Sequence, residues 1–539
     1  MPEQPLTLSA QTPRRSNPPH PSPPGRAWRA GLRTLLLAVL FAAVAMPMIF
    51  ASVLRGRGAY DQVNYHEKVV RTFAEQLPRP DLRDYLSATT PGYHLVIATL
   101  TRAALGSNLH AGESTADPSA NPARARQRIP MQLAGLTFTV TWLILLSAWL
   151  TNRLRASTHT APSAQPLAIA ALLPLASSPY VLQSGVWLLP DNAGWLMVTA
   201  VLLLALGRPS SARLVLMGLF VLLAVWMRQI HLWSAGIVWA AGWLAATLPN
   251  NPGNDTRALL DWRDLIPAHL GKLIGRLALA ILATLPALAT LAWFYKLWGY
   301  HLIPPTFKEW YAQGQYQLGT PAFTLTLLGI YSAFFMGTLW PSLARAWQHH
   351  RAALALAGAL GIALALLGPT SANYHAGRFG AIWSVVARTP ALGDRSLLIT
   401  LGSIVGCIAL AGWLAGIPRR ERWIMLAALA GFIASQTFNQ QIWQRYHDPF
   451  VLLWLAVAAT LTNAGNPTNS SPRLIRLQII GPITLALLLA TWTTLAIAQS
   501  PPAIDQGWRI GAIQKAPSSR APTPTPTSTP TPNAHPDPP

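Results

Sequence analysis

Apolar runs of about 18 to 22 residues recur along this chain, separated by short polar connectors. At about 1.5 Å per residue, a helix of that length crosses roughly 30 Å of hydrocarbon. Thirteen such runs can be traced, at 32–54, 129–150, 165–182, 190–206, 212–227, 231–248, 274–298, 321–341, 352–368, 396–416, 422–438, 448–462 and 475–497. The first is longer than the core of a signal peptide and reads as a span. The expected fold is therefore all-α: a polytopic transmembrane bundle of about 13 spans, with amphipathic interfacial helices in the first outer loop.

Composition removes the soluble alternatives. Only 11% of the 539 residues are charged and 51% are apolar, which leaves no soluble domain of useful size. A net charge of +22 would suggest nucleic acid in a soluble protein. Here the arginines sit in short clusters between apolar runs, the pattern that orients a membrane protein, so the expected partner is the bilayer and not nucleic acid. Cys407 is the single cysteine and lies inside an apolar run, which excludes a disulfide and a thiolate metal site.

Sidedness turns on the segment from Pro91 to Gly106, which is short and polar-studded. If it lies along the interface, with Arg102 snorkelling to water, the later cytoplasmic loops hold fifteen Arg and Lys and the outer loops seven. The opposite assignment inverts six later loops, although Arg124, Arg126 and Arg128 then fall outside. This topology divides the chain into a disordered, Pro-rich cytoplasmic tail (1–31), a transmembrane module (32–300) with a catalytic outer loop (55–128), a second transmembrane module (301–498) and a disordered Pro/Thr-rich outer tail (499–539).

Polar residues gather on the outer side. Tyr60 through Lys68 form the densest cluster of proton-exchanging groups, including Asp61 and His66. Asp191, the turn Arg228-Gln229-Ile230-His231, Asn373 through Arg378 with His375, and Gln441 through Asp448 with Arg445 and Tyr446 complete the set. Ionisable groups bordering a bilayer in this way point to function. Local roles compete for several of them. Asp61 could N-cap the amphipathic segment 62–77, Asp191 could N-cap the run that follows it, and Arg228 could be an interfacial anchor.

At these residues the chain resembles the GT-C superfamily of integral-membrane glycosyltransferases. The resemblance is carried by Asp61 with Thr89-Thr90-Pro91-Gly92-Tyr93, and by Ser178-Pro179-Tyr180 through Trp187 to Asp191. Within that superfamily, Arg228-Gln229-Ile230-His231 is similar to the Arg-Gln-Thr-Asn signature of the dolichyl-phosphate-glucose alpha-1,2-glucosyltransferase family. Asn373-Tyr374-His375 through Trp383, and Gln444-Arg445-Tyr446-His447-Asp448-Pro449, match two later blocks of the same family in order. Asp61-Gln62 stands where the family has Asp-Glu, and Ile230-His231 where it has Thr-Asn, which leaves the sugar and the acceptor open.

The resemblance implies an inverting hexosyl transfer from a polyprenyl-phosphate donor, such as dolichyl-phosphate glucose, to a lipid-linked or envelope glycan. Asp61 is then the expected base. Arg228, Gln229, His231, Arg445, Tyr446, His375 and Arg378 are expected at the donor phosphate or sugar, and Asp191, Tyr60, His66 and Asn373 at the acceptor or in support. No cofactor is required, though Asp61 and Asp191 leave a divalent cation open. A flippase or transporter of lipid-linked saccharides, or a polymerase or ligase, is the competing class. Ala, Arg and Pro richness points to a bacterial plasma membrane, with endoplasmic reticulum the location in a eukaryote.

Overall fold

A computed structural model describes residues 24–106, 122–157, 163–248, 259–267, 269–311, 316–373, 376–465 and 471–503. Residues 1–23 and 504–539, most of both expected tails, lie outside the described residues, as do His375 and residues 107–121 of the first outer loop. The first helix begins at Pro24, ahead of the apolar run itself.

The fold is all-α; among the described residues the only strands are two-residue pairings, one of which joins Arg378–Phe379 to Ile442–Trp443 in parallel. Each of the thirteen apolar runs is helical, but length and hydropathy separate them. Among the described residues, seven helices are long and apolar enough to cross a membrane, or eight with one bent pair. Leu35–Phe50, Asp191–Ala205, Ser211–Met227 and Arg351–Leu366 are shorter apolar helices. The bent pair is a correction to the continuous span expected over 165–182, because the chain turns by 71° between Ala164–Ser177 and Pro179–Val186. Pro179 disfavours a helical Ser178, whose hydroxyl instead caps the new helix by accepting from the Tyr180 amide.

Burial orders these helices. Gln444–Gly465 is enclosed on nearly every face, whereas Leu270–Leu297 and Pro472–Gln499 leave most of their surface outward. Large apolar side chains stay exposed on such outer faces, among them Leu282, Leu285, Leu487 and Leu488, as lipid contact requires. Close approach inside depends on small residues. Gly402 and Gly406 share one face of Leu397–Gly416, and a Cβ on Gly406 would overlap the Leu325 carbonyl of the neighbouring Thr320–Ser332 helix.

The segment from Arg57 to Leu105 is a compact layer. Arg57–Asp61, a π-helical turn at Gln62–His66 and Glu67–Gln76 follow one another without a break, and Gly92–Leu105 packs against them. Its 14 residues reach about 21 Å, short of a crossing. Arg102 does not snorkel freely, because it donates to the carbonyls of Ala74 and Leu77 and so ends the neighbouring helix. Arg128 is buried against the Glu67 carboxylate at 2.7 Å, and Arg71 bonds the same carboxylate, so this ion cluster ties the loop to the helix Pro122–Arg155.

The Thr-Thr-Pro-Gly stretch docks on the turn after Ser211–Met227. The Thr90 amide donates to Gln229 Oε1 at 3.0 Å, and the Thr90 hydroxyl to the Val225 carbonyl at 2.6 Å. Gly92 is required there because a Cβ would sit 2.6 Å from the Trp226 carbonyl oxygen. Just past the helix Pro472–Gln499, the chain pairs with the stretch ahead of Arg57, the Ala503 amide donating to the Leu54 carbonyl at 2.9 Å.

Candidate active site

A cavity of about 1930 Å³ opens where the 55–89 segment, the 228–236 turn and the start of Gln444–Gly465 meet. Asp61 reaches it from a helix interior. That helix starts at Arg57, and the Asp61 side chain makes no capping hydrogen bond, which corrects the N-cap reading. Its carboxylate instead accepts from Arg445 Nη1 at 2.6 Å, and Arg57 approaches one turn earlier at 3.3 Å. Asp191 is likewise no cap: it is the first residue of its helix and pairs with Arg228. Between the two ion pairs lies Tyr446, with the Arg228 guanidinium 4.5 Å and the Arg445 guanidinium 5.1 Å from its ring centroid.

Chain chemistry explains this convergence. Arg445 and Tyr446 occupy the first turn of the most enclosed helix, so their polar ends emerge from the bundle only at the cavity. Arg228 falls where Ser211–Met227 ends in an extended residue, and its side chain lies over the Tyr446 ring and beside Asp191. Asp448, one turn below Gln444, is fully buried; Ser178 donates to it at 2.7 Å, and Tyr331 also donates. Such bonds hold the start of that helix against the bend at Ser178. Ser178 and Asp448 both lie in stretches whose spacing suggested a site, yet nothing local indicates that they meet.

The other expected residues divide. His66 lines the cavity, and its Nδ1 lies 2.8 Å from His94 Nε2. Burial, then the charges of Arg445 and Arg228, push the His66 imidazole down to about 3, so it is neutral. Gln229 also borders the cavity, but its amide is spent on the Ala88 and Leu302 carbonyls at 2.8 and 2.9 Å and on Thr90. Tyr60 packs edge-on against Tyr65 beneath Arg57 and supports the loop without lining the cavity.

Three expectations move away from the cavity. His231 turns inward against Gly194 and Trp195, because the 3-10 turn after Arg228 places it on the opposite face. Arg378 is buried in its own loop and donates to the Ser371 carbonyl at 2.8 Å. Asn373 closes the same loop by accepting from the Ala376 amide at 3.0 Å. None of the three lines the cavity. Residues that spacing did not single out also matter, above all Arg57 and Trp443; the i, i+4 spacing of Arg57 and Asp61 was the available signal.

Charge and lining define the chemistry. Five cations, Arg55, Arg57, Arg228, Lys308 and Arg445, face the cavity against two carboxylates, which suits an anionic ligand. Apolar residues such as Trp239, Leu288, Leu291, Trp492 and Ile497 line it too. The donor set does not suit a divalent ion: among the described residues no three acidic, His or Cys groups converge, and a guanidinium engages each carboxylate.

By fold and site the chain is an all-α protein with, among the described residues, seven or eight helices long and apolar enough to cross a membrane, built around an anion-suited cavity. It matches no protein-family model, no curated protein and no solved structure.

Proposed function

We propose that this is an inverting glycosyltransferase of the membrane, moving a hexose from a polyprenyl-phosphate donor to a hydroxyl of a lipid-linked or envelope glycan. The observation that carries the reading is the meeting of Asp61, Asp191, Arg228 and Arg445 around Tyr446 in one cavity. An anionic phosphate with a lipid tail needs guanidinium donors beside an apolar surface, and this cavity has both. All thirteen apolar runs cross the bilayer in this reading, the Gly92–Leu105 helix lies at the outer interface, and the membrane is a bacterial plasma membrane.

The donor phosphate sits between Arg228 and Arg445 and takes guanidinium bonds from the two carboxylates. Asp61, released from Arg445, accepts the proton of the acceptor hydroxyl as its oxygen bonds to the anomeric carbon. The bond from that carbon to the phosphate oxygen breaks on the opposite face, with inversion, and its electron pair leaves on polyprenyl phosphate. A phosphate monoester has a second pKa of about 6, so it departs without a strong acid. The arginines neutralise the charge it gains, and Asp61 returns its proton to water.

The test is transfer of radiolabelled hexose from synthetic polyprenyl-phosphate hexoses to lipid extracts in proteoliposomes, with Asp61→Asn beside the parent. Transfer by the parent and none by the variant is expected. An equally active Asp61→Asn protein removes the base, and no transfer with any hexose donor defeats the reading. Mass analysis of envelope and lipid-linked glycans in a deletion strain identifies the sugar.

A further inference from the structure

The cavity is divided by charge. Its cations and carboxylates come from residues 55–66, 191, 228, 308 and 445, whereas the wall built by residues 376–384 and 431–441 contributes none. That wall offers side-chain amides and ring faces instead. Phe379 is 47% and Phe438 70% exposed although both line the cavity, and Ser384, Asn439 and Gln441 lie among them. Gln441 Oε1 is buried and has no hydrogen-bond partner among the described residues. A buried acceptor left unpaired is unfavourable unless a ligand donates to it.

The wall is held in shape. Parallel pairing sets Phe379 beside Trp443, and Gly377, with φ of +73°, lets the two loops touch where a Cβ would sit 2.9 Å from the Gln440 carbonyl oxygen. Gln317 bonds the carbonyls of Ala376 and Gln440 at 3.0 and 2.7 Å, and Asn439 accepts from the Gln441 amide at 3.3 Å. Trp443 marks the border with the charged side, since the Arg445 guanidinium lies 4.9 Å from its ring centroid and itself meets Asp61.

We propose that this uncharged wall, Phe379, Phe438, Ser384, Asn439 and Gln441, is a subsite for a neutral saccharide that forms the body of the acceptor. Rings and amides together suit a sugar, whose C–H faces stack on aromatics and whose hydroxyls bond amides. A lipid chain would leave Gln441 Oε1 unpaired, and an anion would find no cation there. The proposal rests on the transferase reading, because a sugar on this wall borders Trp443 and so points a hydroxyl toward Asp61.

The experiment uses the full chain in nanodiscs and two probes. Saturation-transfer NMR follows maltotriose, mannotriose and chitotriose; intrinsic fluorescence follows farnesyl phosphate. At least one trisaccharide should give a signal that falls about fivefold in Gln441→Ala and in Phe379→Ala. Phe379→Tyr, which keeps the ring face, should retain it, and farnesyl phosphate should bind all three variants as it binds the parent. No trisaccharide signal with the parent, or one unchanged in both alanine variants, overturns the subsite. Absence of farnesyl phosphate binding by the parent counts against the transferase reading instead, and the NMR then decides the wall by itself.

Discussion

Arg445 donates to the Asp61 carboxylate at 2.6 Å across 384 positions of sequence, joining the short helix Arg57–Asp61 to the start of the most enclosed helix. Both side chains are largely withdrawn from water, at 8% exposure for Asp61 and 18% for Arg445, so the pair is held in a setting where charge matters. Asp61→Asn leaves the guanidinium with a weaker partner. The variant should lose about 3 kcal/mol of stability, read as a lower melting midpoint in detergent. Farnesyl phosphate at a hundredfold excess over its dissociation constant should restore about 2.7 kcal/mol, because an anion replaces the lost carboxylate. An unchanged midpoint, or no recovery with the phosphate, contradicts the exchange.

Asp191 offers a sharper test, since it holds the guanidinium that a ligand phosphate would need. Removing its charge in Asp191→Asn should tighten farnesyl phosphate binding by about tenfold, roughly 1.4 kcal/mol, as the competitor for Arg228 is weakened. Fluorescence titration reads this directly. Weaker binding in the variant would mean that Asp191 supports the ligand rather than competing with it.

The neutral His66 sets a pH limit. Its folded value of about 3 lies below the ordinary 6.5, so above pH 6.5 the folded and unfolded chains carry the same proton count at this residue. Below that, only the unfolded chain takes the proton. Stability therefore falls as pH drops from 6.5 toward 3, by about 1.4 kcal/mol per pH unit for this group. His94, held well below its ordinary value by burial and then by His66, adds in the same direction. Melting midpoints at pH 7.5, 6.0 and 5.0 should decline, and the slope should be shallower in His66→Phe. Equal slopes in parent and variant would deny His66 this role.

Helix packing gives a control pair. Gly406→Ala should cost about 1–3 kcal/mol, because the new methyl meets the Leu325 backbone, which cannot yield without parting two helices. Gly358→Ala adds a Cβ whose nearest neighbour is Ile408 Cδ1 at 3.7 Å, an ordinary contact. It should be neutral or stabilising by about 0.5–1 kcal/mol through helix propensity. Midpoints in the same detergent compare them, and equal losses would remove the packing explanation.

Apolar periodicity made the helices legible, because a chain entering hydrocarbon has few other ways to satisfy its backbone. Candidate polar positions were legible for the same reason: Asp61, Asp191, Arg228, Arg445 and Tyr446 stand out where apolar residues were expected, and all five line the cavity. His231 and Arg378 stood out equally and turned elsewhere, since adjacency in sequence says nothing about which face of a tight turn a side chain takes. The bend at Ser178 was written in its proline but hidden by the length of the apolar run.

Composition and spacing thus determined that this chain is helical, that its helices are apolar enough for a bilayer, and which polar residues stand at their ends. Tertiary packing decided the partners: Asp61 with Arg445, Asp191 with Arg228, Asp448 with Ser178 and Tyr331. Helix formation depends on contacts within a turn or two, which local sequence encodes. Contacts across tens to hundreds of residues exist only once the helices between them have packed, and that packing is a property of the whole chain.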